Sequence, residues 1–224
     1  MTDIDTDTAT PIRIAPDALA ATLAARAGPG RSIVAIAGPP GSGKTTLTAS
    51  VEAALTGTHG LCARSLQMDG FHYDNAVLDS LGLRARKGAP ETFDTDGLAA
   101  LLARLAAGDA PDIAVPAFDR TLDLTRACAT IIGREARMLV VEGNYLLLNR
   151  PPWQALQRHF TCTVALDCAE DTLRARLMQR WRGLGHSESA ARTKVEQNDL
   201  PNARLVLHHS RPADILVSCP GAPG

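Results

Sequence analysis

Residues 38–45 read Gly38-Pro39-Pro40-Gly41-Ser42-Gly43-Lys44-Thr45, the pattern G-x-x-x-x-G-K-[ST]. Its setting constrains the chain more than any other feature. Ile33, Val34, Ala35, Ile36 and Ala37 precede it, a short apolar and partly β-branched run of the kind that makes a buried strand. Over 45–56, Leu47, Val51, Ala54 and Leu55 fall close to helical spacing. Strand, glycine-rich turn and helix is the context in which this pattern cradles phosphate. Glycines let backbone N–H groups converge on one anion without Cβ clashes, and the helix start adds unsatisfied N–H groups and a positive dipole end. In that reading Lys44 reaches the β- and γ-phosphates, the Thr45 hydroxyl ligates Mg²⁺, and Thr46 closes the phosphate-contacting run. The competing reading is a glycine-rich βα turn with no ligand.

The rest of the chain alternates strand and helix signals, which implies a parallel, doubly wound sheet with helices on both faces. After the first helix, residues 61–68 read as a strand ending at Asp69. A carboxylate just past the carboxyl end of a parallel strand sits where such sheets bind ligands, so Asp69 is a candidate general base. Asp69-Gly70 also reads as an ordinary turn. Residues 138–141 are a second strongly apolar strand, ending in Glu142, which would hold Mg²⁺ directly or through water. Leu98, Leu101, Leu102 and Leu105 form a core-facing stripe on a helix that Asp94 caps. A short strand over 112–117 leads to Asp119 and Arg120, and residues 121–126 are its extended or hairpin partner. In order, 151–153 opens a helix, 161–166 is a strand, 198–202 is a polar turn, and 213–217 is the last strand.

Charge and composition remove several function classes. A net charge of −1 and 4% aromatic residues argue against nucleic-acid binding by bulk electrostatics or base stacking. No apolar run approaches the roughly 20 residues of a membrane span. Residues 1–10 are acidic and polar, unlike a signal peptide, and read as a disordered start, as does the Gly/Pro-rich end from Pro220. The five cysteines form no C-x-x-C pair, which predicts buried free thiols in a reducing cytoplasm. The basic residues are 20 Arg and three Lys: Lys44, Lys87 and Lys194. Against that Arg bias Lys87, in a cluster with Arg84 and Arg86, is a candidate point charge near an anion, although such clusters usually form solvated faces. Arg174, Arg176, Arg180 and Arg182 lie on one helix, Gly183 and Gly185 follow, and a further helix over 187–198 starts at Ser187. That is the pattern of a mobile lid over ATP phosphates, with Arg176 or Arg180 placed for transfer.

Taken together, these segments resemble the phosphoribulokinase/uridine kinase family of P-loop kinases, which also holds bacterial pantothenate kinase. They are still more similar to a bacterial subgroup labelled fructose transport system kinase. The resemblance covers about residues 33–217. It rests on Gly38 to Thr46, on Met68-Asp69-Gly70-Phe71-His72, on Arg86-Lys87-Gly88-Ala89-Pro90-Glu91-Thr92-Phe93-Asp94, on Val115-Pro116-Ala117-Phe118-Asp119-Arg120, and on Val140-Val141-Glu142-Gly143. It implies a three-layer αβα P-loop sandwich with a mostly parallel sheet and a small helical lid at about 174–198. It divides the chain into a tail and helix (1–30), a kinase domain (31–219) and a tail (220–224). The function implied is ATP- and Mg²⁺-dependent transfer of the γ-phosphoryl group to a hydroxyl of a small metabolite, in the cytoplasm, without membrane insertion, and with a homodimer left open. The resemblance makes Asp69 the base and puts Asp69, His72, Lys87, Asp119, Arg120 and Glu142 on the substrate side. Phe118 and Arg120 stand where the family commonly has Tyr and Phe or His, so the acceptor is not fixed. A nucleotide-dependent switch or accessory ATPase of a transport system would use the same loop but would have no need of a base at Asp69.

Overall fold

A computed structural model describes residues 10–108 and 111–219. The expected disordered start and the Gly/Pro end from Pro220 fall almost entirely outside these residues. In chain order the elements are β1 (Ile12–Ile14), α1 (Leu19–Ala25), β2 (Ser32–Ala37), α2 (Lys44–Gly57), β3 (Ala63–Gln67), α3 (Asn75–Ser80), α4 (Thr95–Ala107) and β4 (Asp112–Asp119). They continue with β5 (Leu124–Gly133), β6 (Met138–Gly143), β7 (Cys162–Asp167), α5 (Glu170–Gly183), α6 (Glu188–Lys194), α7 (Leu200–His209) and β8 (Ile215–Ser218).

Six strands form one parallel sheet in the order β1-β8-β7-β2-β6-β3. β2 and β6 are buried along their whole length, as central parallel strands must be. Their side chains alternate between two cores. Ile33, Ala35, Leu139 and Val141 face α4 and the aromatic residues Tyr145 and Trp153. Val34, Ile36, Met138 and Val140 face α1, α2 and α5. This gives the three layers. The α4 stripe Leu98, Leu101, Leu102 and Leu105 is buried as its spacing predicts, each leucine contributing about 2 kcal/mol of apolar burial. Asp94 caps α4 by accepting from the Gly97 N–H at 2.9 Å, and Ser187 caps α6 by accepting from the Ala190 N–H.

Three elements differ from the sequence reading. β1 pairs in parallel with β8 at the sheet edge, too short a strand to leave an alternation signal. Residues 198–202 are not a polar turn. A π-helical turn, Val195–Asp199, joins α6 to α7 without a break, because Val195, Leu200 and Ala203 are drawn into the core, and the wider turn accommodates Pro201, which has no N–H to donate. Two of the five cysteines are not free thiols: Cys168 and Cys219 are joined in a disulfide, their Cα atoms 5.1 Å apart. β7 and β8 pair with Asp167 opposite Ser218, so the next residue of each strand meets the other, although 51 residues separate them in sequence. Cys62, Cys128 and Cys162 are free.

The hairpin β4–β5 stands apart from the main sheet. Its register shifts between Val115 and Ala117, at Pro116, which cannot donate to the ladder. The hairpin presses on the turn that follows β3: a Cβ on Gly70 would stand 2.9 Å from the Pro116 carbonyl oxygen. Gly70 therefore permits the close approach that brings the end of β4 against Asp69.

Candidate active site

The ends of β2, β3 and β6 lie side by side at the carboxyl edge of the sheet, and the chemistry-bearing residues leave from those ends. Residues 38–43 turn from β2 into α2, with Gly43 at φ +91° as its cap, a backbone conformation that a side chain would strain. Lys44 is buried and its Nζ donates to the Pro39 carbonyl at 3.0 Å. Burial lowers its pKa to about 8, against the raising influence of Glu142 and Asp69. Thr45 Oγ1 donates to Glu142 Oε1 at 2.8 Å, so the two predicted metal-side groups are in contact. Burial pushes the Glu142 carboxyl up, while Lys44 and the Thr45 hydrogen bond pull it down. Ser42 Oγ is buried and finds no hydrogen-bond partner among the described residues.

Asp69 lies in a one-turn 3₁₀ helix, Met68–Phe71, directly after β3. Arg120 Nη2 donates to its Oδ2 at 3.1 Å, while Oδ1 carries no hydrogen bond among the described residues. The His72 ring packs against Phe93 and Phe118, tilted by 41° and 40° at centroid distances of 4.0 and 4.8 Å, with Nδ1 2.8 Å from the Asp69 carbonyl oxygen. Burial lowers the His72 pKa, which leaves a neutral ring at pH 7.

Two cavities meet here. One, of about 340 Å³, is lined by Pro40, Gly41 and Gly43 to Thr46, and by Glu142. The other, of about 600 Å³, opens between the hairpin, the 84–88 loop and the α5–α6 segment. Pro40, Asp69, Arg120, Asn144 and Arg180 line both, so the Asp69–Arg120 pair stands in the wall between them.

The remaining predicted site residues divide. Arg176 Nη1 donates to the Ser42 carbonyl at 3.2 Å and belts the loop from outside. Arg180 lines both cavities, and its pKa is lowered by burial and by Arg120. Lys87 is held at 2.7 Å by Asn75 Oδ1 and at 2.6 Å by the Asp123 carbonyl, and it covers the Phe118 ring. Asp119 lines neither cavity. Its carboxylate accepts from the N–H groups of Thr121 and Leu122 and pairs with Arg126, which organises the hairpin turn. Gly38 and Pro39 lie at the base of the loop, against a third, apolar cavity.

Sequence reasoning gave no role to several lining residues. Asn144 follows Glu142 at the β6 end, and only its position could have marked it. Trp181 on α5 donates to Asp199 Oδ2 at 2.6 Å, and Lys194 on α6 lies 4.6 Å from the centre of the Trp181 ring. Asn198 Nδ2 reaches the Lys87 carbonyl at 3.1 Å and ties this segment to the opposite wall. No local pattern announces these contacts, because their partners lie far away in the chain.

No family model matches the chain. It is 35% identical over 188 residues to the uncharacterized protein YggC of Escherichia coli K12, covering 84% of this chain and 77% of that one. It is 31% identical over 194 residues to the Schizosaccharomyces pombe protein named "Putative uridine kinase C227.14", covering 84% and 83%. A crystal structure from Silicibacter sp. TM1040, described as a "putative fructose transport system kinase", superposes with a TM-score of 0.85 at 40% identity, over 92% of this chain and all of that one. The chain belongs to the phosphoribulokinase/uridine kinase family of P-loop kinases. It is a phosphotransferase with an alcohol group as acceptor, and it uses ATP. The parallel sheet and flanking helices are those of the three-layer P-loop fold. Among the described residues no helix is long and apolar enough to cross a membrane.

Proposed function

We propose that this kinase transfers the γ-phosphoryl group of ATP to a hydroxyl of a small metabolite bound in the larger cavity, with Asp69 as the base. The observation that carries this reading is the shared wall: the phosphate cavity and the larger cavity meet at Asp69 and Arg120. The loop N–H groups and Lys44 bind the phosphates. Arg120 holds Asp69 Oδ2, which leaves Oδ1 to accept the proton of the acceptor hydroxyl. The acceptor O–H bond breaks to Asp69, the new O–Pγ bond forms, and the bond from Pγ to the bridging oxygen breaks, leaving ADP. Arg180, in both cavities, stabilises the charge of the transferring group.

Thr45 Oγ1 and Glu142 Oε1 would hold Mg²⁺. A hydroxyl and a carboxylate already in contact suit an ion that takes few protein ligands and completes its shell with phosphate oxygens and water. Bound there, the ion supplies neutralisation of phosphate charge. Residues 174–198 act as the lid that excludes water, the competing acceptor.

A switch has no use for a second cavity and a base opening onto the phosphate site, and this supports the kinase reading. The test is ADP release with Mg²⁺ over a panel of hydroxyl compounds, repeated with Asp69→Asn. One acceptor should raise ADP release well above the water background. Asp69→Asn should lower that turnover by about 10²–10⁴-fold with ATP affinity little changed. A flat panel with ATP bound, or an Asp69→Asn variant of unchanged turnover, would overturn the assignment.

A further inference from the structure

α7 buries Leu200, Ala203 and Val206, and among them Asn202, which is 3% exposed. An asparagine on an apolar buried face brings two N–H donors and a carbonyl oxygen that need partners, a demand that a leucine of similar size would not make. Asn202 lines the larger cavity. So do Gln197, Asn198 and Asp199, the last three residues of the π-helical turn that leads into α7. Turns of this kind are frequent at functional sites.

Hydrogen bonding fixes the direction of two amides here. The Lys87 carbonyl can only accept, so the Asn198 atom 3.1 Å from it is Nδ2. That carbonyl is a firm reference point: the Lys87 ammonium is held by Asn75 Oδ1 and the Asp123 carbonyl, and the Gly88 carbonyl beside it accepts from the Tyr145 hydroxyl. Asn198 Oδ1 is thereby turned to Asn202, four residues on and on the same helix face, and only an N–H can meet it. Asn202 Nδ2 does so at 3.4 Å. Asn202 Oδ1 is left over, with no hydrogen-bond partner among the described residues, on a side chain whose small exposed surface belongs to the cavity wall.

Resting on the kinase reading above, we infer that Asn202 is a specificity-determining residue: its Oδ1 accepts a hydrogen bond from a second donor group of the acceptor, a hydroxyl or an N–H, while Asp69 takes the hydroxyl that is phosphorylated. Asn198 is the positioning residue that keeps the oxygen of Asn202, and not its NH₂, turned to the cavity. A compound without a donor at that place leaves Oδ1 buried and unpaired, and is rejected for that reason.

Trp181 lines this cavity, whereas Trp153 is buried in the core, so indole fluorescence reports on its occupancy. The protein is first saturated with Mg²⁺ and a nonhydrolysable ATP analogue, which fills the phosphate cavity. It is then titrated with sets that differ at one hydroxyl: ribose, 2-deoxyribose and 2-deoxy-2-fluororibose; glycerol, propane-1,3-diol and 2-fluoropropane-1,3-diol; uridine and its 2′-deoxy and 2′-fluoro forms. Fluorine nearly keeps the size of a hydroxyl but cannot donate. In at least one set the parent should bind about tenfold more tightly than both analogues, the worth of one hydrogen bond to a buried group. Asn202→Leu should bring the members of that set to within about twofold of one another. It should bind the ATP analogue as before, which also shows that the variant is folded. Asn198→Ala leaves the Asn202 amide free to turn and should blunt the preference to about threefold.

A wild type that separates no set, a fluoro analogue that binds like its parent, or a preference that survives in Asn202→Leu would each overturn the inference. A full preference in Asn198→Ala would remove Asn198 from it. None of these outcomes touches the kinase reading, which falls on a flat panel of ADP release.

Discussion

Raising the pH from 7 to 9 should weaken ATP binding through a single side chain. Lys44 is buried with its ammonium on the Pro39 carbonyl, and burial brings its pKa down to about 8. The phosphate-bound state needs the charged form. The free protein goes from about nine-tenths charged at pH 7 to about one-tenth at pH 9. Above pH 8 a proton must therefore be taken up with the nucleotide, and affinity falls about tenfold between these two pH values. The terminal phosphate is already ionised in this range and adds little slope. Calorimetric titration with a nonhydrolysable ATP analogue at pH 7, 8 and 9, in buffers of different ionisation enthalpy, gives both the affinity and the protons exchanged. Uptake should approach one proton per nucleotide at pH 9. Lys44→Ala should bind more weakly at every pH and lose the slope. A flat wild-type profile, or the same slope in Lys44→Ala, would refute the argument.

Two other substitutions test the surroundings of the loop. Glu142→Gln keeps the volume and the hydrogen bond from Thr45 but removes the charge. The Mg²⁺ concentration for half-maximal turnover should rise by about 10–100-fold, and an unchanged Mg²⁺ curve would take Glu142 out of the metal environment. Tyr145 donates to the Gly88 carbonyl at 2.6 Å from within the aromatic core. Tyr145→Phe should cost about 1–3 kcal/mol, seen as a lower urea midpoint at unchanged slope; no loss would mean that the Gly88 carbonyl finds another donor.

Much of the candidate site was legible where position follows from local order. Lys44 and Thr45 are one strand and one turn from β2, so the motif and its flanking periodicity place them. Asp69 and Glu142 end β3 and β6, and a carboxylate at that end of a parallel strand is forced toward the ligand edge. Arg120 and Asp119 show the limit of such reasoning. Adjacent in sequence, they do different work: Arg120 crosses to Asp69, while Asp119 folds back on its own turn. Which of the two enters the site depends on the Pro116 register shift and on the seating of the hairpin against Gly70. The polar stretch 198–202 misled because its composition is that of a turn, whereas the core on its buried side demanded a helix.

The sequence by itself determined the βαβ core, the phosphate loop and the carboxylates that end its strands, because these depend on spacings of a few residues and on alternation along a strand. Tertiary structure alone decided three things: the pairing of Cys168 with Cys219, the joining of two cavities at Asp69 and Arg120, and the gathering of Arg180, Trp181, Lys194 and Asp199 at one end of the larger cavity. Each depends on the strand order β1-β8-β7-β2-β6-β3 and on where α5 and α6 come to rest. Charges tens of residues apart become neighbours only when the sheet has set the distances between them.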